Sequence, residues 1–187
     1  MMPGRRRLDA RSLLGLAHPL RIQIRNELRL RGPATASQLA RRFGESSGAT
    51  SYHLRMLARH GFIEPEEARG SGRERWWRAV PVQLQIEDSD FRDDPTAQDA
   101  LRVVTGELHR QAADHLRAWR DAGRRWSEAW REASEDSIYV ATLDAREAAA
   151  LRDELDAVLT SYTQRTSRPG GRVVEIQLNV FPTGDPE

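Results

Sequence analysis

The first sixty residues carry apolar side chains at three- and four-residue steps, a spacing that places them on one face of a helix. This spacing predicts three short amphipathic helices. The first has apolar positions Leu8, Leu13, Leu16 and Ala17, the second Leu20, Ile22, Ile24 and Leu28, and the third Ala36, Leu39, Ala40 and Phe43. Gly32-Pro33 ends the second predicted helix. Thr35 and Gln38 predict a capping box that starts the third, which Gly44 ends. A turn of about three residues then leads to a fourth helix, which together with the third predicts a helix-turn-helix.

The fourth predicted helix, within residues 46–61, has two unlike faces. Thr50, His53, Leu54 and Leu57 lie on the inward face. The other face is small, hydrogen-bonding and cationic, and it contains no carboxylate; its residues are Ser47, Gly48, Ser51, Tyr52, Arg55 and Arg59. Such a face is typical of a helix that contacts a polyanion, and a merely solvated face is the alternative interpretation.

After Gly61 the apolar period changes from 3.6 to 2, which predicts a β-hairpin over residues 62–80. Its tip, residues 68–73, contains Arg69 and Arg73 around two glycines, and Arg75 follows. Glycines let a backbone approach a phosphate closely, and arginines neutralise it. We therefore interpret the hairpin as a wing that contacts DNA, with an ordinary solvated turn as the alternative.

Three stretches, "LAHPLRIQI", "TASQLARRFGESSGATSYHLRMLARHGFIE" and "GRERWWRAV", occur in this order within residues 8–80. Together they resemble the winged-helix domain of the arsenical-resistance-repressor (ArsR) superfamily. The resemblance implies a dimeric DNA-binding transcriptional regulator. By position, it implies that the major groove is contacted by Ser47, Gly48, Ser51, Tyr52 and Arg55, and that the wing contacts use Arg69 and Arg73. His53 and Leu54 match the family's mostly structural His-Leu pair.

The sequence departs from metal-sensing relatives because it contains no cysteine. Only His109 and His115 lie close together among the five histidines, and a separation of six along a helix places them on different faces. We therefore expect no metal and no cofactor. Catalysis is not expected either, since the chain shows no nucleophile elbow and no phosphate-cradling loop. A protein-interaction module and a metal-responsive repressor of the same fold are the alternative functions.

Charge divides the chain into two halves. Residues 1–80 contain 16 Arg and 7 Asp or Glu, whereas residues 81–187 contain 13 Arg and 21 Asp or Glu. A basic half beside an acidic half suggests that one part faces a polyanion and the other does not. Arg5, Arg6 and Arg7 are expected either to form an arm that enters a minor groove or to be a disordered basic terminus.

In the acidic half, Asp94-Pro95 predicts the start of one long helix, which reaches Trp130. Its apolar seam consists of Leu101, Val104, Leu108, Ala112, Leu116 and Trp119. We expect this seam to pair with the same helix of a second subunit; packing on the chain's own C-terminal region is the alternative. Trp119, Trp126 and Trp130 are candidates for an apolar effector pocket, or simply fill a core.

Two further strands are predicted over residues 137–143 and 172–181, with a helix between them that buries Leu151, Leu155 and Val158. Residues 82–86 also alternate between apolar and polar side chains, which predicts a third strand-like segment. Because two strands alone are marginal in water, we expect the three segments to share a small sheet, within one chain or across subunits.

These patterns predict an α+β protein with an N-terminal winged helix-turn-helix, a long dimerisation helix and a small C-terminal α/β element. The expected domains are residues 1–80, which bind DNA, and 81–187, which dimerise or bind an effector. The expected function is that of a repressor that binds a palindromic operator as a homodimer and is controlled by a small non-metal effector. No run of some 18 apolar residues and no signal peptide is present, so a cytoplasmic location is expected.

Overall fold

The computed structural model describes residues 4–67, 75–163, 165 and 170–185. Its helices are α1 (Ala10–Leu16), α2 (Pro19–Arg31), α3 (Ala36–Phe43), α4 (Ser47–Arg59), α5 (Pro95–Ala122), α6 (Glu128–Glu132) and α7 (Ala145–Thr163). Its strands are β1 (Gly4–Arg7), β2 (Ala34–Thr35), β3 (Ile63–Pro65), β4 (Trp76–Ala79) and β5 (Val82–Gln85). The mixed helix and sheet class, the N-terminal helix-turn-helix and the long helix are confirmed.

By its contacts the chain forms two units, Pro3–Gln111 and a second that begins at Ala112. The division lies inside α5, whereas the predicted domain boundary at residue 80 follows the change of charge. The observed division lies inside α5 because β5 and the first half of that helix pack on the same core as the helix-turn-helix.

The caps of the N-terminal helices follow from local sequence. The Asp9 carboxylate accepts a hydrogen bond from the Ser12 amide at 2.8 Å and so starts α1. At the start of α3, Thr35 Oγ1 accepts from the Gln38 amide at 3.3 Å, and Gln38 Oε1 accepts from the Thr35 amide at 3.0 Å. This is the predicted capping box. Gly44 ends α3 in the left-handed region at φ 68°.

A single hydrophobic core holds α1 to α4 together. All the large apolar positions predicted for α1 and α2 are buried in it, and Leu39, Leu54 and Leu57 join them from the helix-turn-helix. Leu54 and Leu57 have no exposed surface. The core therefore fixes the inward face of α4 and leaves the opposite face to solvent.

The predicted hairpin is confirmed: β3 pairs antiparallel with β4, and β2 pairs on the other side of β4. β5 was predicted to share a sheet with residues 137–143 and 172–181. It pairs instead in parallel with β1. The expectation for the basic terminus was also wrong. Arg6 donates to the His60 carbonyl at 2.8 Å and to the Gly61 carbonyl at 3.0 Å, and Arg7 is ion-paired with Asp90.

The first part of α5 belongs to the N-terminal unit. The Asp94 carboxylate caps the helix by accepting from the Ala97 amide at 3.0 Å, as predicted. Leu101 and Val104 are buried in the core of their own chain, and Leu108 packs against it. Leu101 and Val104 are therefore not available to a dimer seam, and the prediction was wrong for these two residues; Leu108 is only half-buried, so its place in the seam stays a prediction. Ala112, Leu116 and Trp119 are half-buried, and their part of the seam stays a prediction.

The C-terminal unit differs from its prediction in two ways. α5 ends at Ala122 and is followed by a 3-10 turn from Gly123, whose φ of 42° suits glycine, so the helix does not continue to Trp130. Residues 137–143 and 172–181 form no strand. The predicted helix α7 is present, but none of its described residues is buried. No helix among the described residues combines the length and apolar character needed to span a membrane.

Candidate nucleic-acid interface

Helix α4 is anchored at its start and along its inner face. The Ser46 hydroxyl accepts from the Ala49 amide at 3.1 Å, and Thr50 Oγ1 donates to the Ser46 carbonyl at 3.0 Å. Thr50 is fully buried together with Leu54 and Leu57. These contacts fix the rotation of α4 about its own axis, so its outer face has a defined set of side chains.

The outer face of α4 agrees with the pattern of the sequence. Ser47, Gly48, Tyr52, Arg55 and Arg59 are exposed, while Ser51 is half-buried at the edge of the face. A Cβ atom added at Gly48 would meet only the Ser46 hydroxyl at 4.0 Å, so packing within the chain does not require glycine there.

A cleft of about 280 Å³ opens beside this face. It is lined by the start of α3, by α4 and by β4, through Thr35, Ala36, Ser37, Ser51, Arg55, Arg75 and Trp77. The guanidinium of Arg75 lies over the Trp77 ring, 4.4 Å from its centroid, and this stacking restrains the cation. Arg55 forms no ion pair with any other described residue, and none of the described residues that line the cleft is a carboxylate.

The start of α3 adds a second source of positive potential to the cleft. The first amides of a helix have no partner inside it, and the helix dipole makes this end partly positive. Ala36 and Ser37, the first two residues of α3, both line the cleft. Neither residue stands out in the sequence pattern. The capping box marks where α3 begins, but only the packing of α3 against α4 shows which way that end faces.

The arginines of the wing have different environments. Arg69 and Arg73 lie outside the described residues, so their predicted wing contacts stay predictions. Arg75 is exposed and lines the cleft. Arg78, further along the returning strand, is ion-paired with Glu64 at 2.7 Å and lies 3.5 Å from Glu66.

The ring of His53 on α4 packs against the ring of His18, the N-cap of α2. The ring centroids of His18 and His53 lie 4.5 Å apart, and Tyr52 meets His53 edge-on at 5.3 Å. His18 Nδ1 accepts from the Leu20 amide at 3.1 Å, which requires that nitrogen to be unprotonated. Burial lowers the pKa of both histidines, with Arg21 adding to the shift against the opposing effect of Glu45. Both rings are therefore neutral near pH 7.

The other predicted sites lie in the C-terminal unit. Trp119, Trp126 and Trp130 are each half-buried, and the Arg172 guanidinium lies 5.5 Å from the Trp126 ring. The effector pocket stays a prediction. Over the described parts of the chain, no group of three or more histidines, cysteines or carboxylates is arranged to hold a metal ion. His115 is hydrogen-bonded to Glu175 at 2.7 Å.

Comparison with solved structures finds a similarity to ZitR of Lactococcus lactis. A double mutant of ZitR in apo form has 14% identity, a TM-score of 0.35 and coverage of 78% of this chain and 83% of that one. Wild-type ZitR in complex with DNA has 13% identity, a TM-score of 0.30 and coverage of 77% and 74%. Those values are too low to transfer ligands or activity from ZitR to this chain. No curated protein matches the sequence.

A family model identifies the N-terminal helices more directly. The model described as a helix-turn-helix domain matches residues 16–66, which contain α2, α3, α4 and β3. Residues 16–66 are therefore a helix-turn-helix domain.

Proposed function

We propose that the protein is a sequence-specific DNA-binding transcriptional regulator in which α4 is the recognition helix. The observation that carries this proposal is the exposed, carboxylate-free face of α4 beside a cleft that holds Arg55 and Arg75. Phosphate contacts from arginines and helix starts orient a protein on the duplex, and side chains on the groove face select the sequence.

The proposal divides the interface into two kinds of contact. Ser47, Gly48, Ser51, Tyr52 and Arg59 face the major groove. The resemblance places Arg55 there too, but because Arg55 lines the cleft we assign it to a phosphate instead. The cleft side chains, Arg55 and Arg75, contact the sugar-phosphate wall, and Arg69 and Arg73 extend that contact along the wing. Gly48 suits the groove face because the absence of a side chain lets the helix approach the duplex closely.

The proposed regulator acts as a homodimer on a palindromic operator. A single α4 covers only a few base pairs, and two copies related by a two-fold axis contact half-sites about one helical turn, or roughly 34 Å, apart. We further propose that it represses transcription when bound and that a small non-metal effector in the C-terminal unit changes its affinity for DNA. The tryptophans of that unit are the candidate effector contacts.

Selection of bound fragments from random DNA tests the proposal directly. We expect enrichment of an inverted repeat with half-sites centred about 10 base pairs apart. A Tyr52→Asp variant is the control, because Tyr52 is exposed and the new carboxylate would repel the groove without disturbing the core. Absence of any enriched motif from the wild-type selection, with folded protein, would contradict the proposal.

A further inference from the structure

The described residues of the C-terminal unit form no core of their own. None of its described residues is buried, and fourteen large apolar residues between Ile138 and Phe181 are exposed. Summed over all fourteen, at about 200 Å² for a fully exposed large apolar residue, they present on the order of 1,500 Å² to solvent. A monomeric protein rarely exposes an apolar patch of more than a few hundred Å², and a standard interface needs about 800 Å² from each partner.

Residues 172–181 contact the C-terminal half of α5 through their polar side. Glu175 is hydrogen-bonded to His115, and the Gln177 amide donates to the Ala112 carbonyl at 2.9 Å. The alternate residues form the apolar side and remain 40–60% exposed; they are Val174, Ile176, Leu178 and Val180. A segment that turns its polar side to its own helix leaves its apolar side in need of a partner.

The backbone of these segments also finds no backbone partner among the other described residues. Over residues 137–143 and 172–181, no backbone hydrogen bond joins either segment to another described part of the chain. Alternating β-branched residues favour strands, and a strand needs a neighbour to pair its amides and carbonyls. The exposed stripe of α7 has the spacing of a helix that covers a sheet, through Leu151, Leu155, Val158 and Tyr162.

We propose that a second copy of this chain completes the C-terminal unit: residues 137–143 and 172–181 of both copies form one intermolecular sheet, and α7 covers its apolar face. Each chain supplies both the strands and the covering helix, so two copies related by a two-fold axis satisfy each other reciprocally. The proposal deepens the homodimer of the proposed function, on which it rests, and places its main contact after residue 136 instead of along the predicted seam of α5.

The test uses the full chain with Val174→Asp and Ile176→Asp together. The matched control, Asn179→Asp with Thr183→Asp, adds the same charge outside the apolar side. Sedimentation equilibrium measures association, and hydrogen exchange measures amide protection of residues 137–143 and 172–181. We expect a dimeric wild type with protected segments, an unchanged control, and a dissociation constant raised roughly 100-fold or more in the apolar-side variant, because each buried carboxylate lacks a partner.

A dimer that survives the double substitution, a dimer whose two segments exchange freely, or a wild type that stays monomeric would each overturn the intermolecular sheet. Binding of every variant to random duplex at low salt is measured in parallel and shows whether the N-terminal unit is folded and active. A wild type that dimerises but does not bind DNA would refute the proposed regulator function and leave the intermolecular sheet supported, so the two failures are distinguishable.

Discussion

Removal of the two cleft arginines should change the salt dependence of DNA binding by a calculable amount. Arg55 and Arg75 line one cleft, and Arg75 is restrained by stacking on Trp77 at 4.4 Å. Each neutralised phosphate contributes about 0.9 to the slope of log affinity against log salt. An Arg55→Ala/Arg75→Ala variant should therefore lower the magnitude of that slope by about 1.8 per subunit.

The difference is large enough to measure. Over a fourfold rise in salt, from about 50 to about 200 mM, a slope change of 1.8 corresponds to about a twelvefold change in relative affinity for each subunit that contacts the duplex. The variant should thus lose most at low salt and converge on the wild type as salt rises. Because phosphates carry no sequence information, the loss should be similar for operator and random duplex.

Fluorescence anisotropy with a labelled duplex at several salt concentrations provides the assay. The control is Arg92→Ala/Arg102→Ala, which removes the same charge from exposed positions outside the cleft, one of them ion-paired with Asp99. It should leave the slope almost unchanged. An unaltered slope in the cleft variant, or an equal change in both variants, would refute phosphate contact in the cleft and leave only a general effect of net charge.

Three further predictions concern stability. Gly15→Ala should destabilise the fold by about 1 to 3 kcal/mol, since its Cβ would overlap the His60 ring. Arg6→Ala should cost about 1 to 3 kcal/mol through its lost carbonyl hydrogen bonds and leave the salt slope unchanged. The free energy of unfolding should fall as pH drops below about 6.5, because the pKa values of His18 and His53 are lowered in the folded state and the unfolded chain binds more protons.

Denaturant titration measures all three, and each has its own control. Gly106→Ala places a methyl group in open space on α5 and should stabilise by up to about 1 kcal/mol, so an equal loss at both glycines would contradict the close contact at Gly15. Arg6 would belong to a DNA-binding arm if its replacement lowered the salt slope but not the stability. A His18→Asn/His53→Gln variant should flatten the pH dependence, and an unchanged profile would assign it to other groups.

The parts of the fold that local sequence determines were predicted well. The capping box of Thr35 and Gln38 and the end of α3 at Gly44 depend on residues within a short stretch of chain. The two faces of α4 follow from helical period alone, because the buried Leu54 and Leu57 fix which side is exposed.

Pairings between distant segments were not predicted. The partner of β5 is β1, at the other end of the N-terminal unit, and nothing in the alternation of residues 82–86 specifies that neighbour. A related reason explains why the seam of α5 was wrong at two of its six residues: a helical apolar stripe shows that a partner exists but does not specify which one. Leu101 and Val104 meet the core of their own chain. Strand-like segments, likewise, become strands only when a neighbour pairs with their backbone.

The arginine excess of residues 1–80 overstates the surface available to DNA. Several of these cations stabilise the fold: Arg6 binds carbonyls, while Arg7, Arg42 and Arg78 pair with carboxylates. Arg25 is buried beside the Val82 carbonyl, and its burial lowers its pKa to about 10. Net charge attracts a polyanion from a distance, but counterion release depends on the arginines that can contact phosphates. The identity of those arginines follows from packing, so the cleft of Arg55 and Arg75 defines the proposed DNA-binding surface more sharply than the sum of charges.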